Sequence, residues 1–141
     1  MVTMSSPALS GREPQGNDDG HLHLAWTATD DVLHYASAHS WSFNEFNGSM
    51  RPTSETCTDG PSLAYAPWLD EHILAWAGTN PGRNINTLQA GEGAAFSHKL
   101  TYPRGARYGA TVAAQTSDAA FAWADTDAAH RLHVSGWSDL S

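Results

Sequence analysis

The chain has 141 residues, of which 40% are hydrophobic, and its 15 Asp and Glu outnumber 7 Lys and Arg to leave a formal net charge of −8. That acidic balance excludes a phosphate-tracking nucleic-acid binder or an anionic membrane surface as natural partners, because both would repel it. No apolar run approaches the length of a membrane span, and the length suits one domain with a modest core.

Self-similarity is the strongest signal. Leu24-Ala25-Trp26-Thr27-Ala28-Thr29-Asp30 recurs as Leu74-Ala75-Trp76-Ala77-Gly78-Thr79-Asn80 and as Phe121-Ala122-Trp123-Ala124-Asp125-Thr126-Asp127, at offsets of 50 and 47 residues. The offset of 47 also relates Ile85 to Leu132 and Glu92 to Asp139. The single domain 1–141 therefore divides into approximate repeats 1–48, 49–98 and 99–141.

Taken in chain order, the first element is Met1-Val2-Thr3-Met4, a short outer strand. It has neither the positive charge nor the apolar run of a secretory signal, so none is visible. The compartment is left unassigned; an extracellular one suits a mature form or a fragment. Pro7-Ala8-Leu9 is the next strand, followed by an inserted polar surface loop from Gly11 to Gly20. In His21-Leu22-His23-Leu24-Ala25-Trp26, Leu22, Leu24 and Trp26 point one way and His21 and His23 the other. A further strand begins near Leu33.

In the second repeat, Ser49 to Thr53 is an outer strand, where Pro52 is tolerated at a sheet edge. Pro61 to Tyr65, Glu71 to Trp76 and the region of Ile85 supply three inner strands. In the third, Lys99 to Tyr102, Ala110 to Ala113, Phe121 to Trp123 and the region of Leu132 follow the same order. Residues 113–129 are rich in alanine and tempt a helix assignment, but they contain the third copy of the repeat, which prevails over propensity. The Thr-Asp or Thr-Asn pair after each Trp segment is expected to cap its hairpin by side-chain hydrogen bonds to the backbone.

Four-stranded antiparallel units repeated three times give an all-β fold built of β-propeller blades. Three blades do not close a ring. Closure requires a second copy of the chain, as a homodimer, or a longer chain of which this is part; the N-terminal strand would complete the last blade. With one cysteine, Cys57, no internal disulfide is available and packing alone must hold the fold.

The pattern Leu-Ala-Trp-x-x-Thr-Asp, an apolar strand, and then Glu92-Gly93-Ala94-Ala95-Phe96 resembles the Asp-box (BNR-type) repeats of sialidase-like propellers and of some propeller lectins. Ser138-Asp139 stands at the corresponding place in the third repeat, and Ser40-Trp41-Ser42-Phe43 replaces it, without the acid, in the first. The resemblance implies a blade turn between the last two strands of each unit. A sialidase-like site also needs an arginine cluster, a tyrosine nucleophile and nearby acids. Arg12, Arg51, Arg83, Arg104, Arg107 and Arg131 are scattered, so no catalytic residue is assigned.

Binding is the favoured function, with glycans as the expected partners. Sugars stack on aromatic rings while polar groups read their hydroxyls. Trp26, Trp76 and Trp123 sit at core positions. Trp41, Trp68 and Trp137 lie in loops or at strand ends, and with Tyr108 and Arg107 they form the candidate ligand-binding set. The alternatives are a protein-interaction scaffold, which the acidic Asn17-Asp18-Asp19-Gly20 would suit, and a partial propeller of a larger glycoside hydrolase. His21 and His23 have the spacing of two metal ligands. Their repeat equivalents are Glu71 with Ile73 and Asp118 with Ala120, so no third ligand is implied, and neither a metal nor another cofactor is assigned.

Overall fold

A computed structural model describes residues 5–39 and 44–140. The chain is all-β apart from two short helical turns, and its strands form three antiparallel sheets. The first contains β1 (Ala8–Arg12), β2 (His21–Thr27), β3 (Val32–His39) and β4 (Arg51–Thr56), in that spatial order. The second contains β5 (Ser62–Ala66), β6 (Glu71–Ala77), β7 (Asn84–Ala90) and β8 (Ser97–Gly105). The third contains β9 (Thr111–Ala114), β10 (Ala119–Ala124) and β11 (Leu132–Gly136). The helix α1 (Asn44–Ser49) lies between β3 and β4, and a 3₁₀ turn, Trp137–Asp139, follows β11.

The strands lie close to where the repeat places them, although Ser49, expected to open an outer strand, ends α1 and that strand runs from Arg51 to Thr56; each sequence repeat is offset from its sheet by one strand. β4 and β8, which open the second and third repeats, hydrogen-bond to β3 and β7 and finish the preceding sheets. Pro52 accordingly sits on an edge strand, where its missing N–H costs no ladder bond. The matching strand for the third sheet was assigned to Met1-Val2-Thr3-Met4, which lies outside the described residues. The alanine-rich segment is extended, as β9 and β10.

A similar turn recurs in the three sheets. After β2, β6 and β10 the chain closes on a residue with positive φ: Asp31 (62°), Arg83 (48°) and His130 (47°). Matching backbone bonds run from Ala28 N–H to Val32 C=O, from Gly78 N–H to Asn84 C=O and from Asp125 N–H to Arg131 C=O. The expected side-chain caps are present: Asp30 accepts from Val32 N–H, Asn80 from Asn84 N–H, and Asp127 from the N–H groups of Ala129 and His130.

The sheets stack face against face, with β1 beside β5 and β5 beside β9. Successive residues of a strand face opposite ways, so each middle strand serves two interfaces. Leu74 and Trp76 of β6 join Ala25, Leu33, Leu63 and Leu88 between the first and second sheets. Ile73, Ala75 and Ala77 join Ala119, Phe121 and Trp123 between the second and third. Leu22 and Trp26 lie on the outer face of the first sheet, covered by Phe46 of α1. Among the described residues, none covers the outer face of the third sheet around Leu132 and Val134. Pairing sets Val134 opposite Ala122 and Leu132 opposite Ala124, and Leu132 and Val134 are 74% and 71% exposed.

Candidate functional site

Two features lie where the first sheet meets the second. At one end is a groove of about 260 Å³. The outermost strands β4 and β8 form its walls with Glu55, Lys99 and Thr101, and the turn after β6 closes it with Thr79 and Asn80. Trp76, 1% exposed, also lines it, with Lys99 Nζ 6.0 Å from the ring centroid. The lining groups are paired with one another. Lys99 contacts Glu55 at 2.6 Å, Thr56 Oγ1 lies 2.7 Å from Thr79 Oγ1, and Thr101 donates to Asn86 Oδ1 at 2.7 Å. Asn86 Nδ2 in turn donates to the Asn84 carbonyl at 3.0 Å. The groove thus brings hydroxyl, amide, ammonium and carboxylate groups together beside a buried tryptophan.

At the opposite end of the same interface three histidines meet. His21 and His23 of β2 face the second sheet, and His72 of β6 faces the first; all three are buried. One ring nitrogen from each lies within 4.8 Å of the others. His23 stacks on His72 with centroids 4.1 Å apart and an interplanar angle of 13°. A hydrogen-bonded chain orders the group. Arg12 Nε–H donates to His21 Nε2 at 3.0 Å, which leaves the proton of neutral His21 on Nδ1. That proton points to His72 Nε2, also at 3.0 Å, so the His72 proton is on Nδ1, 2.8 Å from Ser10 Oγ. Both ring nitrogens of His23 are buried with no hydrogen-bond partner among the described residues.

Burial holds the cluster neutral. Desolvation, with the neighbouring histidines, lowers His23 to about 4 and His72 to about 2, and desolvation followed by the charge of Arg12 lowers His21. Arg12 is itself only 5% exposed. It pairs with Asp18 and lies 3.6 Å from Asp70 and 3.7 Å from Glu92. The polar segment read as a surface loop therefore returns Asp18 to a buried guanidinium. Gly20 makes that return possible: its φ is 81°, and a Cβ there would come within 2.5 Å of the Arg12 carbonyl. Tyr65 flanks His21 and His72, donates to Asp70 at 2.6 Å, and is raised to about 12, chiefly by desolvation and then by that bond.

Of the aromatics selected from the sequence, Trp68 and Trp137 come together and Tyr108 lies apart. Trp41 lies outside the described residues. Trp68 and Trp137 are half-buried against the core between the second and third sheets, with centroids 6.3 Å apart, and Trp137 Nε1 donates to Tyr102 Oη. Tyr108 is 63% exposed on the loop between β8 and β9, with the Arg107 guanidinium 5.5 Å from its ring centroid. Glu92 to Phe96 occupies the turn between β7 and β8, the last two strands of the second sheet.

His72 corrects the expectation that His21 and His23 have no third partner. The repeat aligns His72 with Leu22, not with either histidine, and so hides it. The face of one sheet packs on the opposite-parity face of the next, which makes His72 their neighbour. Trp76, Gly78, Thr79 and Asn80 of the groove belong to the repeated segment, but the rest of its lining comes from β4, β7 and β8, which no local motif joins to that segment. Compared with known proteins, the chain matches no family model and no curated protein sequence.

Proposed function

We propose that this chain is a non-catalytic carbohydrate-binding module built of propeller blades of the Asp-box type, and that the groove between its first two sheets is the sugar site. The observation that carries the reading is the groove's lining. Asn80, Asn84, Asn86, Thr79 and Thr101, with Glu55 and Lys99, supply donors and acceptors beside Trp76, the mixture that reads a ring of hydroxyls. At about 260 Å³ the groove suits one sugar unit and not a long chain. A single shallow site binds weakly, and joining several sites in one assembly raises avidity.

Assembly is the second part of the reading. The third sheet presents a face with Leu132 and Val134 exposed, which favours burial against further blades, supplied by a second copy or by additional chain. Screening the purified chain against immobilised glycans tests the function. Binding to a defined set of sugars, unaffected by Tyr108→Ala, is expected. Failure to retain any glycan, or loss of binding in Tyr108→Ala, contradicts assignment to the groove.

A further inference from the structure

We propose that His21, His23 and His72 form a site for a late first-row divalent metal ion, with zinc the best chemical match. Neutral imidazoles are the ligand form for such ions, and three histidines with one open position is an established zinc arrangement. Two of the nitrogens already approach it: His21 Nδ1 and His72 Nε2 are 3.0 Å apart, and metal–nitrogen bonds of about 2.0–2.1 Å in a tetrahedron put ligand atoms roughly 3.3 Å apart; His23, stacked on His72 at an interplanar angle of 13°, must turn out of that stack for its lone pair to reach the same ion. His23, within the same 4.8 Å span, brings two buried nitrogens with no hydrogen-bond partner among the described residues. Leaving such groups unpaired is costly, and an ion bound by one of them removes part of that cost. Ser10 Oγ holds His72 by its Nδ1, as outer-shell groups hold ligating imidazoles.

The surrounding charge favours a dication. Asp18, Asp70 and Glu92 surround the one guanidinium of Arg12, an excess of two carboxylates beside three neutral rings. Asp18 and Asp70 reach solvent, with side chains 40% and 74% exposed. Binding has one internal consequence. An ion on His21 Nδ1 displaces the proton there to Nε2, and Arg12 must then give up its bond to Nε2 and turn to its carboxylates. No net proton is released, because each ring stays neutral.

The test is calorimetric titration of the metal-free, full-length chain with Zn²⁺, alongside visible absorption with Co²⁺. One ion per chain and the intense spectrum of a tetrahedral Co²⁺ site are expected. His23→Leu, which keeps an apolar group in the stack, should weaken binding by at least about 100-fold, since loss of an outer-shell partner alone costs up to that much. His130→Ala, on an exposed turn, should leave it unchanged. His72→Gln should match His23→Leu, and circular dichroism establishes that each variant folds. Absence of bound metal in the parent, or full-strength binding in both folded cluster variants, overturns the proposal.

Discussion

Three buried histidines set the response of the protein to acid. In each, the folded state favours the neutral ring, while the unfolded chain takes up protons near pH 6.5. The folded pKa values are depressed, so the unfolded state binds more protons below that pH and stability falls as pH drops. The loss begins near 6.5 and runs through about 4 for His23 and about 2 for His72, at up to about 1.4 kcal/mol per pH unit for each ring. Urea unfolding of the metal-free chain between pH 7 and pH 4 should show this slope, and His23→Leu should reduce it. A flat profile contradicts the buried cluster. At this scale the sequence was only half legible. The pairing of His21 with His23 on one strand face could be read from alternation, but His72 required knowledge of which faces meet. The groove residues Asn86 and Thr101 are ordinary strand residues whose meaning comes from the ladder that pairs β7 with β8.

Strands, in contrast, were largely readable. Trp26, Trp76 and Trp123 recur at one position and all are buried, because each repeat fills the same slot with the same bulk. The Thr-Asp and Thr-Asn turns were visible for the same reason: a short polar side chain that caps its own backbone leaves a local mark. The helix α1 left none, since six residues including Gly48 carry little helical preference. Stacking of one sheet on the next predicts that Phe121, fully buried between the second and third sheets, contributes strongly to stability. Phe121→Ala should cost about 3–5 kcal/mol in chemical denaturation. A loss below about 1 kcal/mol would mean that the two sheets do not pack as described.

For the whole molecule, three stacked sheets have two outer faces, and the two differ. The first is closed by Phe46 over Leu22 and Trp26, while the last leaves Leu132 and Val134 in the open. Exposed apolar side chains on an edge strand invite pairing. Light scattering should therefore give a mass above that of the 15.1 kDa monomer, and Leu132→Lys with Val134→Lys should return it to the monomer; a parent chain that stays monomeric at high concentration contradicts association through this face. The carbohydrate reading rests on the groove, and its decisive measurement is a calorimetric titration of the best glycan from the screen. Asn86→Ala combined with Thr101→Ala removes two polar groups, each contributing about 0.5–1.5 kcal/mol. The account predicts at least about a fivefold loss of affinity, with the fold intact by circular dichroism. Unchanged affinity in the folded double variant would contradict it and move the sugar site elsewhere, first to Trp68 and Trp137.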